Sequence, residues 1–366
     1  MLIDILLILG GLVLLVLGGE LMVKGAGSLA RRLGMSPLVV GLTVVAVATS
    51  APELAVTVDA VLSGSPDLAV GNVIGSNTAN VLLILGAGAL IAALSVGRQL
   101  LRFDLPVMVA VSVLLLLLSL DGALTLVDGV LLLAVFVAFM VTTVILGRRE
   151  VARQAAGSED ADDEDAPAPM WLSVLLVVAG IASLVVGAQL LVRGAVSIAS
   201  GLGISELIIG LTIVAIGTSL PELAATLAAV RRGEVDIAVG NVVGSNVANI
   251  GLVLGLPAVF AADGLPVAPS AVALDLPLML AAALALGTVA FTGHRVVRME
   301  GGAFVALYAA YLGYMVLAAA EHDALRGFTV VMVAFVLPLL VVVGAVAVWQ
   351  EVQLRRGADG RLERVG

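Results

Sequence analysis

The sequence has no cysteine, only two histidines, and charged residues at just 12% of its 366 positions. Without cysteine there can be no disulfide, thiolate metal site or cysteine nucleophile. His294 and His322 fall in loops expected on opposite sides of the membrane, so they cannot share a metal. No histidine lies in an apolar run and no lysine within one stands beside a serine, so a hydrolase would lack an evident base. The first apolar run, "LIDILLILGGLVLLVLGGELMV", has no basic leader and is long enough to span a bilayer, so a retained helix is expected rather than a cleaved signal. What is abundant is hydrophobic surface. The chain is 61% apolar with a mean hydropathy of +1.20, far from the composition of ordinary soluble domains. An all-α polytopic membrane protein is expected. The net charge of -9 owes most of its size to six acids in "SEDADDEDAPAP".

Runs of spanning length fall near residues 2 to 23, 36 to 63, 67 to 93, 104 to 120, 125 to 147, 170 to 192, 204 to 230, 235 to 262, 269 to 291, 301 to 320 and 327 to 349, eleven in all. Sorting Lys and Arg onto the alternating loops puts 16 on one side and only Arg193 and Arg326 on the other. By the positive-inside rule the N-terminus is outside and the C-terminus cytoplasmic. The acidic stretch is then a cytoplasmic connector. It lacks the Gly-centred ligand spacing of an EF-hand and reads as a solvated linker.

Residue n laid over residue n+169 aligns positions 41 to 86 with 210 to 255 without a gap, and 29 of the 46 pairs are identical. Spans one to five thus correspond to spans six to ten. Five is odd, so the two copies enter the bilayer from opposite sides, the inverted repeat of secondary transporters. The organisation expected is a first repeat at 1 to 150, a linker at 151 to 169, a second repeat at 170 to 320, and an extra span with a cytoplasmic tail at 321 to 366.

Each repeat carries two polar motifs. "TSAPE" and "TSLPE" place a proline and a glutamate in mid-span. Pro52 cannot donate to the carbonyl of Ala48, nor Pro221 to that of Gly217, and in hydrocarbon such orphans are tolerated only where they line a polar cavity. On helical spacing Ala46, Thr49, Ser50 and Glu53 cluster, and Ala215, Thr218, Ser219 and Glu222 repeat them. "GNVIGSNTAN" and "GNVVGSNVAN" form polar stripes of Asn72, Ser76 and Asn80, and of Asn241, Ser245 and Asn249. Gly71, Gly75 and Ala79, with Gly240, Gly244 and Ala248, have the spacing that lets helices approach closely. All candidate ligands are oxygens, which suit Ca²⁺, Mg²⁺ or alkali cations. Two glutamates are balanced by one Ca²⁺ or by two sodium ions or protons, the mutually exclusive occupancy an exchanger needs. An ionisable residue within the membrane, here duplicated, marks a functional site by default.

These motifs resemble those of the calcium/cation antiporter superfamily, which includes the sodium/calcium exchangers and whose repeats carry G-T-S-x-P-E and G-N-x-x-G-S-N patterns. The resemblance covers essentially residues 1 to 320. It implies that Glu53 and Glu222 are the central Ca²⁺ ligands. Thr49, Ser50, Thr218, Ser219, Ser76, Ser245 and the carbonyls of Ala46 and Ala215 would complete the calcium and sodium sites. Asn249, paired with Asn80, stands where some sodium-coupled relatives have aspartate, so two carboxylates remain at the centre. The resemblance implies an antiporter, not an enzyme, in the cell (inner) membrane, exchanging Ca²⁺ for Na⁺ by alternating access. An H⁺-coupled exchanger of Ca²⁺ or another divalent cation is the alternative, with a cation channel a more distant one. Inorganic cations and the lipid bilayer are the partners implied; no cofactor, nucleic acid or protein partner is.

Other polar residues read as structural. Glu20 and Asp59 have no acidic mates, since Gln189 and Ala228 occupy the equivalent positions; Glu20 would line an access path or snorkel inward, and Asp59 would line the outer mouth. Asp67 and Asp236 start spans three and eight, where capping is expected. Lys24 and Arg193 pair across the repeats but are expected at helix ends.

Overall fold

The computed structural model describes residues 1–157, 169–204, 206–261, 264–320, 322 and 324–332. Helices long and apolar enough to cross a membrane are α1 (Leu2–Leu33), α2 (Pro37–Leu62), α3 (Pro66–Ile91), α4 (Leu100–Asp121), α5 (Leu126–Ala152), α6 (Met170–Gly201), α8 (Val235–Phe260), α9 (Ala271–Gly293) and α10 (Arg298–Ala319). Between α6 and α8 lies α7, a bent pair, Thr212–Thr218 and Leu220–Arg231, whose halves meet at 55°. Each of the first ten expected spans falls on one of these. The expected eleventh lies largely outside the described residues, as does most of the acidic linker.

Proline and serine punctuate the starts. Ser36 accepts a hydrogen bond from the Val39 amide over 3.3 Å, and Pro37 follows where a helix has an unpaired amide to spare. The ends of α1 and α6 are less legible, because both helices run well past their apolar cores into amphipathic turns.

Helices α1 and α6 pack along their length in antiparallel fashion, held close by glycines spaced seven apart. A Cβ on Gly18 would lie 2.8 Å from the Gly180 carbonyl oxygen, and one on Gly180 would lie 2.8 Å from that of Gly18. Gly11 faces Gly187 in the same way. Only glycine permits this approach, and it brings backbone dipoles and van der Waals surfaces together where lipid offers no hydrophobic drive. Since residue 11 is the mate of 180 and 18 of 187, the pairing is that of two repeats related by inversion.

The repeats are also stapled by two short antiparallel ladders. Strand β1 (Leu94–Ser95) pairs with β4 (Arg295–Val296), and β2 (Ala123–Leu124) with β3 (Leu265–Pro266). At the centre stands α8, in which every residue from Ile237 to Ala248 is buried. Among the described residues, π-helical turns occur at Gly41–Val45 with Gly210–Val214 and at Asn80–Leu85 with Asn249–Leu254. These wide turns occupy equivalent places in the two repeats, beside the polar motifs, as π-turns at functional sites commonly do.

Candidate functional site

The two broken helices meet across the repeat boundary. Ser50 and Ser219 leave helical geometry, with ψ of 2° and 7°, and each precedes the half-helix that carries a glutamate in its first turn, without a capping hydrogen bond from its side chain. Each serine then reaches the other repeat: the Ser50 hydroxyl donates to Glu222 Oε1 over 3.4 Å, and Ser219 to Glu53 Oε1 over 3.3 Å. Glu53 is 0% and Glu222 1% exposed. Their other oxygens, both Oε2, are buried with no hydrogen-bond partner, and among the described residues no Lys, Arg or His nitrogen lies within 4 Å of either carboxylate. Two buried, uncompensated carboxylates are costly unless a cation or protons neutralise them. The first-turn position helps only in part, through the positive end of the helix dipole.

Around them the stripes of α3 and α8 close the site. Asn72 donates to the Glu53 carbonyl (3.3 Å) and the Thr57 hydroxyl (3.1 Å); Asn241 donates to the Glu222 carbonyl (3.4 Å) and the Thr226 hydroxyl (3.0 Å). Ser245 donates to the Ala46 carbonyl over 3.5 Å, as does Thr49 over 3.3 Å. Ser76 Oγ is buried without a partner, as are both polar atoms of the Asn249 side chain. Asn80 donates to Asn246 Oδ1 over 3.1 Å. Ten of the twelve residues named from sequence are buried together; Thr218 is half-buried and Ala215 exposed. Thr57, Thr226, Asn77 and Asn246 belong to the same network and were not singled out, although each repeats across the two halves. Among the described residues there is no cluster of three or more His, Cys, Asp or Glu side chains.

The two halves are not equivalent in shape. On the α2 side, Thr49 donates to Asn241 Oδ1 over 3.2 Å, and α8 presses on the backbone: a Cβ on Gly240 would lie 2.7 Å from the Leu38 carbonyl oxygen. On the α7 side, among the described residues Thr218 bonds only to the Ala215 carbonyl, over 3.2 Å, and Gly71, Gly75 and Gly210 face open space. The close approach expected of both small-residue stripes is thus realised in α8 alone. A cavity of about 440 Å³ opens here, lined by Pro52, Ala55, Gln189, Arg193, Gly217 and Thr218 among others.

Several expectations change. Neither Lys24 nor Arg193 is at a helix end; α1 continues to Leu33 and α6 to Gly201, and Arg193 lines this cavity. Asp67 and Asp236 make no capping hydrogen bond; they occupy first turns, where the helix dipole favours a carboxylate. Glu20 forms an ion pair with Arg232 at 2.7 Å, tying α1 to the end of α7. Asp59 is exposed. A further duplicated acid went unnoticed: Asp104 in "FDLPVM" and Asp275 in "LDLPLM" begin α4 and α9, and Asp104 is buried, accepting from Thr143 over 3.0 Å. The repeated D-L-P was the available signal.

Known proteins share this chain's sequence and architecture. The family profile described as "Sodium/calcium exchanger protein" matches residues 3–145 and 172–317. CaxA of Alkalimonas amylolytica is 41% identical over 320 residues, covering 87% of this chain and 99% of that one. The sodium/calcium exchanger MaX1 of Methanosarcina acetivorans is 32% identical over 343 residues, covering 85% and 97%. The solved sodium-calcium exchanger NCX_Mj superposes with a TM-score of 0.74 at 33% identity, covering 85% of this chain and 98% of its own. With both repeats matched and membrane-spanning helices arranged as in a solved exchanger, the chain belongs to the sodium/calcium exchanger family of multi-pass membrane proteins.

Proposed function

We propose that the protein exchanges Ca²⁺ for Na⁺ across the membrane, with Glu53 and Glu222 as the shared charged ligands. The observation that carries this reading is the exchange of hydroxyls between repeats: Ser50 on Glu222, Ser219 on Glu53, with both Oε2 atoms left over. One Ca²⁺ matches two carboxylates in charge, and Thr49, Thr218, Ser76, Ser245, Asn80, Asn249 and the carbonyls of Ala46 and Ala215 offer neutral oxygens to replace its water. Sodium ions at the same oxygens would exclude calcium and return the site.

The unequal halves supply the gate. Tight packing of α8 on α2 seals one side, while the 55° bend of α7 leaves the other open. Because the repeats are inverted, exchanging the two conformations between them would seal the open side and open the sealed one. With the N-terminus outside and the C-terminus cytoplasmic, the open side here is the external one, since α7 then begins outside.

Proton coupling is the second reading, favoured by Asn249 and Asn80 where an additional carboxylate would hold a further sodium ion. Membrane vesicles distinguish the two. An outwardly directed Na⁺ gradient at constant pH is expected to drive ⁴⁵Ca uptake; uptake driven by a pH gradient and indifferent to Na⁺ would overturn sodium coupling.

A further inference from the structure

A second recess lies away from the ion site, between the start of α4 and the end of α9. It has a volume of about 370 Å³ and is walled by apolar side chains, with Leu101, Leu105, Pro106 and Val109 on one side and Gly287 and Phe291 on the other. The β1–β4 ladder fixes these two helix ends side by side. The equivalent place in the other half is related by an offset of 171, as "FDLPVM" and "LDLPLM" show, and there Leu116 stands where this groove has Gly287. Leu116 packs on its core cluster, whereas a Cβ on Gly287 would meet nothing within 4 Å. The space left at Gly287 is thus filled by a leucine side chain at the equivalent position of the other half.

The end that holds the recess is also the basic one. Arg102 stands one turn before Pro106 on the same stripe of α4, Arg98 one turn earlier, and Arg295 follows Phe291 at the end of α9. Their equivalents are Ala273, Pro269 and Leu124, all uncharged. All three arginines are exposed, and among the described residues none has an acidic partner within 4 Å. Arg298, by contrast, is committed to the Ile91 carbonyl over 2.9 Å. An apolar slot running into the membrane beneath a cluster of unpaired guanidinium groups matches one ligand chemistry: an acyl chain below a phosphodiester.

We propose that this groove is a binding site for an anionic glycerophospholipid, its acyl chain against Gly287 and Phe291 and its phosphate at Arg102, Arg98 and Arg295. The site lies on the face that the positive-inside rule assigns to the cytoplasm, where anionic headgroups are attracted by basic residues. It does not depend on ion exchange, so its test needs only binding.

The purified full-length protein in mild detergent is titrated with phosphatidylglycerol or phosphatidylcholine, and bound lipid is counted by native mass spectrometry. Phosphatidylglycerol is expected to bind more tightly, and Arg102→Gln to weaken it about fivefold while leaving phosphatidylcholine unchanged, as removal of one surface-facing arginine predicts. Gly287→Leu, which enters open space and leaves the melting temperature in place, is expected to abolish the phosphatidylglycerol preference by filling the slot. Equal binding of the two lipids by the unaltered protein would overturn the proposal. So would an undiminished preference in Gly287→Leu, which would place the lipid or another occupant elsewhere.

Discussion

The Ser219 hydroxyl of the second repeat lies 3.3 Å from the Glu53 carboxylate of the first. With its mirror, Ser50 on Glu222, it makes one site out of two half-sites that arrive from opposite ends of the bilayer. Hydrogen bonds to a charged group are worth about 1.5 to 3 kcal/mol. Ser219→Ala and Ser50→Ala are therefore each expected to weaken Ca²⁺ binding roughly tenfold or more, measured as the half-saturating Ca²⁺ for ⁴⁵Ca binding to purified protein.

The asymmetry of the gate has its own test, because the chain is naturally free of cysteine. Val192 lines the open cavity, while its repeat mate Val23 is 1% exposed. A single Val192→Cys is expected to react with a hydrophilic maleimide at least about tenfold faster than Val23→Cys, since a buried thiol is shielded from reagent. Equal rates would show that the two sides are equally open.

The Thr49, Asn241 and Thr226 chain seals the other side. Asn241 is buried and bonded to three partners, and its loss leaves buried polar atoms unmatched. Asn241→Ala is expected to cost about 1 to 3 kcal/mol. Asn72→Ala, at the half-buried equivalent, is expected to cost less; thermal unfolding in detergent checks the order of the two.

Close packing of α1 on α6 predicts a contrast between neighbouring glycines. Gly18→Ala would push a methyl onto the Gly180 carbonyl and is expected to destabilise by about 1 to 3 kcal/mol. Gly10→Ala meets nothing within 4 Å and is expected to be neutral or slightly stabilising through helix propensity. Melting temperatures of the two variants decide it.

Much of this molecule was legible in its sequence because the relevant physics is local. Apolar runs set the spans, and proline with glutamate in mid-span announced a break and a charge in the same place. Other features were hidden for definite reasons. Arg193 was misplaced because an apolar count stops where an amphipathic helix turns polar, while the helix itself continues. The Glu20–Arg232 pair joins residues 212 positions apart, with no repeat counterpart to reveal it. The 55° bend of α7 against the straighter α2 could not be read from segments so nearly identical, since it arises from what each packs against. Asp104 and Asp275 were visible as a repeated motif, yet they follow a differently spaced loop and so fell out of the register of 169.

The central claim is that Glu53 and Glu222 hold one ion together rather than one each. Equilibrium ⁴⁵Ca binding to the purified protein and to Glu53→Gln and Glu222→Gln tests it most directly. Removing one of two charges facing a buried cation is expected to cost about 3 kcal/mol or more, so either variant should lose Ca²⁺ binding by about a hundredfold. A variant that kept half the bound calcium at unchanged affinity would contradict the shared site, and would mean that each carboxylate binds alone.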